Sequence, residues 1–210
     1  MASEIEAKMK VDGFDRMRDA LAQAGATRIG SVLETNMFFD SPTQTLVSKD
    51  TGLRLRRTRD DATNQVRFII TVKGPQQSGQ LKNREEAEVV VDDGEDAKGV
   101  LAALGFEPTL SFEKRRESWT LDGCKVELDE LPVFGRFVEI EGPGEGEVMA
   151  VREKLGMGGT PLIQTGYATM IARHLKETGD ARGVITFQSY GSLVQGCGGG
   201  VYLGDGSDRR

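Results

Sequence analysis

Like charges recur two residues apart along several short segments of the chain: Glu4 and Glu6, Arg54 and Arg56, Lys114 and Arg116, Glu139 and Glu141. Side chains two apart on a β-strand point to the same face, so each pair sets like charges side by side. Such repulsion is tolerated where something of opposite charge sits between them. Arg54, Arg56, Lys73, Arg84, Lys114 and Arg116 suit an anion with several phosphate groups, since guanidinium binds phosphate bidentately and ammonium binds it as a point charge. Glu4, Glu6, Glu139 and Glu141 offer the hard oxygen ligands that Mg2+ or Mn2+ prefers, with phosphate oxygens and waters completing the octahedron. Neither set makes sense buried without the other.

The elements that must position these residues follow from periodicity. Alternation of charged and apolar residues predicts strands at 4–11, 32–40, 52–58, 66–73, 84–91, 114–121, 125–129 and 137–141. Helical spacing predicts helices at 14–24, 95–104, 147–155 and 167–176, the first three each stopped by a glycine (Gly25, Gly105, Gly156). Sorted by parity, the strands carry one face of nearly continuous charge, which also includes Lys8, Glu86, Glu88, Lys125, Glu127 and Asp129, and one face that is mostly apolar. A half-exposed sheet with one wet face would alternate in the same way. Solvated strand faces, however, usually carry many Thr, Ser and Gln rather than full charges. The expected class is α+β: about eight antiparallel strands closed into a barrel, helices packed on its apolar outside and the charged face lining a tunnel.

A gapless repeat supports this order. Glu6, Val11, Asp12, Leu21, Ala22 and Gly25 recur eighty positions later as Glu86, Val91, Asp92, Leu101, Ala102 and Gly105, which implies a pseudo-two-fold arrangement. The expected organisation is one domain over residues 1–179 and a flexible glycine-rich tail over 180–210, with room for a short strand at 184–188.

Composition excludes several function classes. Lys+Arg number 27 and Asp+Glu 33, a net charge of −6, so the chain as a whole has no attraction for nucleic acid or an anionic membrane. His174 is the single histidine and Cys124 and Cys197 the two cysteines, which leaves little support for zinc sites, disulfide frameworks or serine–histidine catalysis. No apolar run approaches the ~20 residues of a membrane span. The expectation is a cytoplasmic protein, monomeric or homodimeric, that acts on a small molecule.

The segment Glu4-Ile5-Glu6-Ala7-Lys8 resembles the opening E-x-E-x-K signature of the CYTH superfamily, the triphosphate tunnel metalloenzymes. It is followed in order by Leu53-Arg54-Leu55-Arg56, Thr71-Val72-Lys73-Gly74, Arg84-Glu85-Glu86-Ala87-Glu88, Glu113-Lys114-Arg115-Arg116, Val126-Glu127-Leu128-Asp129 and Val138-Glu139-Ile140-Glu141. The resemblance implies an eight-stranded tunnel in which Glu4, Glu6, Glu139 and Glu141 hold Mg2+ or Mn2+. It implies that Lys8, Arg54, Arg56, Lys73, Arg84, Lys114 and Arg116 bind a triphosphate, whether tripolyphosphate, thiamine triphosphate or ATP. Lys8, Glu86, Glu88 and Asp129 would serve catalysis, the three acids at metal or water. Water as nucleophile makes a triphosphatase and the ribose 3′-hydroxyl of ATP makes an adenylate cyclase; a non-catalytic binding module is a third reading.

Overall fold

The computed structural model describes the backbone of residues 2–190 and side chains from residue 4. Strand β1 (Ala2–Val11) leads through α1 (Asp15–Gln23) to a long β2 (Thr27–Asp40), and a loop with a 3-10 turn at Val47–Lys49 continues into β3 (Gly52–Asp60), β4 (Val66–Gln76) and β5 (Lys82–Val91). Helix α2 (Gly94–Ala103) then precedes β6 (Glu107–Leu121), β7 (Cys124–Leu131) and β8 (Gly135–Gly142). The rest comprises α3 (Glu145–Lys154), α4 (Tyr167–Thr178), β9 (Val184–Ile185) and α5 (Phe187–Tyr190). Local chemistry sets the breaks: the Asp93 carboxylate accepts from the Glu95 and Asp96 amides to cap α2, and Asp122-Gly123, both at positive φ, form the two-residue turn between β6 and β7.

The strands pair antiparallel in the order β2-β3-β4-β5-β1-β8-β7-β6, and pairing of β2 with β6 closes the ring into an eight-stranded barrel. Strands β2 and β6 start earlier than alternation suggests. Gly30 and Pro108 disturb the period there, and β-bulges between Arg28 and Gly30 and between Phe38 and Phe39 keep the two strands paired through the disturbance. The eighty-residue repeat has a direct expression in register. Glu4 pairs with Arg84 across β1–β5, and Glu34 pairs with Lys114 across β2–β6. Each is a pair of equivalent positions, so a pseudo-two-fold axis crosses the barrel through both, with an acid in the first half and a base in the second.

The helices cover the apolar outside as expected. Met17 and Leu21 of α1 and Val148 and Val151 of α3 pack with Ala7, Met9, Val126, Leu128, Val138 and Ile140; Ala97 and Leu101 of α2 pack with Phe39, Leu53 and Leu55. Each large apolar side chain buried this way contributes ~1.5–3 kcal/mol. A third cluster stands at one end of the tunnel. The rows of Leu110 and Phe112 on β6, Leu131 on β7 and Phe137 on β8 finish in apolar side chains, and α4 seats Tyr167, Ile171 and Leu175 on them.

The expected tail needs correction at its start. Residues 180–190 continue the fold: β9 runs parallel to β6 at Ser111 and Phe112, and Ile185 is fully buried in the α4 cluster. Ile185 supplies the apolar side chain that anchors this segment, and the Phe187 ring lies against the Arg115 guanidinium. The remainder of that segment, with Cys197, lies outside the described residues. No helix among the described residues is long and apolar enough to cross a membrane.

Candidate active site in the tunnel

Strand β1 aims Glu4, Glu6 and Lys8 in one row into the barrel. Across β1–β8, Glu6 stands opposite Glu141 and Lys8 opposite Glu139; across β7–β8, Glu127 stands opposite Glu139. Lys8 Nζ lies 3.1 Å from Glu139 Oε1 and 3.4 Å from Glu6 Oε1, and it donates to the Thr165 carbonyl at 3.2 Å. Burial works against its charge, but Glu139 and Glu6 outweigh burial and hold the ammonium above its ordinary value. Lys82 Nζ is 2.9 Å from Glu6 Oε1, while Lys73 donates to Glu4 and lies 3.0 Å from Glu86 Oε2.

The facing wall is basic. Arg116 donates to Asp129 Oδ1 at 2.6 Å through Nε, and through Nη2 to Asp129 Oδ2 at 2.5 Å and Glu139 Oε2 at 2.6 Å. Lys114 Nζ sits between Asp129 Oδ2 at 3.1 Å and Glu34 Oε2 at 3.3 Å. Arg56 Nε donates to Asn36 Oδ1 at 3.1 Å and its Nη1 lies 3.4 Å from Glu34 Oε1. Arg54 Nη2 donates to Thr71 Oγ1 at 3.0 Å and lies 3.4 Å from Glu88 Oε1. Burial, then the neighbouring Arg56 charge, bring the Arg54 guanidinium down to about 10. These groups border a 490 Å³ cavity that reaches from Glu4, Glu6 and Glu139 to Lys73, Lys82, Arg54, Arg56, Lys114 and Arg116. Among the described residues, the buried Arg54 Nε donor at the cavity border and the buried Glu127 Oε2 acceptor, on the strand row opposite Glu139, have no hydrogen-bond partner.

A model of the CYTH domain matches residues 2–156, most of the barrel. The chain belongs to the CYTH family. A proposed adenylate cyclase of Methanocaldococcus jannaschii is 28% identical over 138 residues, 66% of this chain and 75% of that protein. The PH1819 protein of Pyrococcus horikoshii shares the fold at a TM-score of 0.69 and 24% identity, covering 81% of this chain and 99% of its own. A proposed adenylyl cyclase from Hippeastrum, with a dominant triphosphatase activity, shares it at a TM-score of 0.62 and 21% identity, covering 85% and 96%.

In this CYTH tunnel the expected residues separate into groups. Lys8, Arg54, Arg56, Lys73, Lys114 and Arg116 converge on the cavity; Arg84 borders it too, but its guanidinium is taken by the Asp50 carboxylate at 2.7 Å and by the Asp50 and Gly74 carbonyls, each at 2.8 Å. Asp129 accepts from Lys114, Arg116 and the Tyr167 hydroxyl and is fully buried, so it orders those donors and is closed to water. The four expected metal carboxylates do not form a ready-made cluster: no three acidic, histidine or cysteine side chains are so grouped among the described residues. Glu4, Glu6 and Glu139 are instead clasped by Lys73, Lys82, Lys8 and Arg116, and Glu141 lies 3.8 Å from Lys125.

Sequence reasoning passed over Glu34, Asn36, Lys82 and Tyr167, and gave Glu127 no role. Parity would have found two of them, since Glu34 lies eighty positions before Lys114 and Lys82 continues the row of Arg84 and Glu86. Tyr167 carried no such signal, because its position follows from the docking of α4: its ring faces Lys8 Nζ at 4.1 Å and Lys114 Nζ at 5.3 Å, and its hydroxyl donates to Asp129 at 3.1 Å.

Glu86 carries a testable consequence. Burial, only partly countered by Lys73 and reinforced by Glu4, raises its carboxyl from 4.5 to about 7. Folding therefore favours its neutral form, an advantage fully present below pH 4.5 and lost as pH rises through 7. Glu86→Gln in metal-free buffer is expected to raise Tm by ~2–4 °C at pH 8, the shift that about 1 kcal/mol produces in a chain of this size. Calorimetry at pH 4.5 and pH 8 checks it; the two proteins should differ little at the lower pH.

Proposed function

We propose that this CYTH chain hydrolyses a triphosphate with the help of Mg2+ or Mn2+. The observation that carries the reading is a pair of unmet needs within one barrel: a buried guanidinium N–H without an acceptor at Arg54, which borders the cavity, and a buried carboxylate oxygen without a donor at Glu127, the register partner of the cavity residue Glu139. Groups buried this way cost ~1–3 kcal/mol each unless something else satisfies them. An anion answers the first and a cation the second, and a metal–triphosphate is both.

The donor set fits such a metal. Glu127 and its register partner Glu139, with Glu6 and its register partner Glu141, place two pairs of carboxylates on adjoining strands. Mg2+ commonly takes only one or two protein carboxylates and completes its shell from phosphate and water. Bound there, the metal would neutralise phosphoryl oxygens and orient the chain for in-line displacement.

The protein's own residues supply the rest. Lys8, Arg54, Arg56, Lys73, Lys114 and Arg116 take the phosphate oxygens, and their charges are already in place where negative charge spreads in the transition state. Asp129, Glu34 and Tyr167 hold Lys114 and Arg116 in position. Glu86, titrating near neutrality beside Lys73, accepts a proton from the attacking water at physiological pH. Glu88 stays ionised: burial opposes this, but the Thr71 hydroxyl that donates to it at 2.7 Å and the nearby Arg54 keep its carboxyl below the ordinary value.

The adenylate cyclase reading draws support from the M. jannaschii relative; the Hippeastrum protein, with its dominant triphosphatase activity, supports hydrolysis. Incubation with ATP and Mg2+ or Mn2+, with phosphate and cyclic AMP measured separately, decides between them. Phosphate should dominate; cyclic AMP with matching pyrophosphate would replace hydrolysis by cyclisation.

A further inference from the structure

The pseudo-two-fold relation between the halves fails on the outside of the barrel. Helix α3 follows β8 and lies over β8 and β1, where Ala7, Met9, Val138 and Ile140 are buried. The eighty-position repeat carries Ala7 and Met9 into Ala87 and Val89 on β5. Register completes the equivalence: Ala87 pairs with Val72 and Val89 with Ile70 on β4, just as Ala7 pairs with Ile140 and Met9 with Val138. Here, however, residues 77–81 lead β4 directly into β5 with no helix between them. The second set of four is left open, with Val72 38% and Val89 55% exposed, Ala87 exposed and Ile70 half-buried.

Helix α2 stands beside this opening, its Ala97 and Leu101 packed with Phe68, Ile70 and Val91. From Gly99 to Leu104 it has no polar side chain. Val100 is 58% and Leu104 67% exposed, and Gly99 and Ala103 are exposed as well. The positions eighty earlier, Ala20 and Ala24 at the end of α1, are half-buried in the cluster that contains α3. A helix that is apolar all round is one that is covered all round.

We infer that α2 of a second copy of this chain lies over β4 and β5, and that the same contact is made in return, as two-fold pairing requires. The two needs are complementary and belong to one chain: a sheet face without a helix, and a helix without a cover among the described residues. A second copy meets both at once, whereas a foreign helix would cover the sheet and leave α2 bare. The two α2 helices then share one layer between the two barrels. Ile70, Val72, Val89, Val100 and Leu104 form a contact free of charge, as the centre of an interface between copies should be. The surface lies on the outside of the barrel, so the pairing is independent of what the tunnel binds.

Sedimentation velocity of the full chain over a range of micromolar concentrations tests the interface in wild-type protein, Val89→Lys and Val100→Glu. Wild-type protein should sediment as a dimer. Each substitution is at an exposed position, so circular dichroism should match wild type, while the dimer dissociation constant rises about 100-fold or more because unpaired charges enter an apolar contact. Mixed in equal amounts, the two variants should regain the dimer: one of its two equivalent contacts then joins charges of opposite sign, and the other keeps both valines. That recovery also shows that neither variant is monomeric through misfolding. A wild-type chain that stays monomeric throughout, or a dimer that survives either substitution, would overturn the interface. So would two monomeric variants that fail to associate with each other.

Discussion

Replacing Arg116 with methionine is expected to destabilise the barrel by ~3–5 kcal/mol, the cost of leaving buried charges without their partner. In a chain of this length that lowers Tm by roughly 6–20 °C. The guanidinium is the hub of the tunnel, joined to Asp129 and Glu139 and 3.9 Å from Glu127. Methionine keeps much of the stem volume and removes only the charge and its hydrogen bonds. The deficit should depend on pH in a definite sense. Burial alone would raise the Glu139 carboxyl, but Lys8, Arg116 and Lys114 hold it well below 4.5. Its stabilisation is therefore present above pH 4.5 and lost as pH falls through the depressed folded value, so the gap between variant and wild type should be widest near neutrality and narrow in acid. Thermal unfolding at pH 4 and pH 7 reads both effects.

Glu127→Gln is expected to do the opposite: large loss of activity, little loss of stability. Among the described residues one of its carboxylate oxygens has no hydrogen-bond partner, and its ion pair to Arg116 spans 3.9 Å. Removing the charge takes little from the fold and relieves repulsion from Glu139 across the register. If the carboxylate serves a metal, metal-dependent turnover should fall by at least ~10–100-fold, the range seen for residues one step removed from a metal, and half-maximal activity should need more Mn2+. Unchanged activity together with unchanged Tm would take Glu127 out of the metal site.

Much of this was legible in the chain because a barrel makes parity informative. Once Glu4, Arg56, Lys114 and Glu139 share one face, closure puts them together, and the alternation of Val126, Leu128, Val138 and Ile140 says which side the helices cover. What could not be read were relations set by register and docking. Arg84 has the parity of a phosphate ligand, yet the loop residue Asp50, in a left-handed conformation, reaches its guanidinium first. Asp129 has the charge of a catalytic acid, yet three donors enclose it. A short strand at 184–188 could be read, but not what it packs on, because its partner Phe112 is more than seventy positions away. Non-local packing of that kind leaves no mark on a local period.

The most direct test of the central claim is phosphate release from tripolyphosphate, followed from neutral to alkaline pH with Mg2+, with Mn2+ and with EDTA. The account predicts release that requires the metal. It also predicts that Lys8→Ala, Arg56→Ala and Glu127→Gln each suppress that release while remaining folded. Absence of release under every metal and pH condition, or release that EDTA does not diminish, would contradict it.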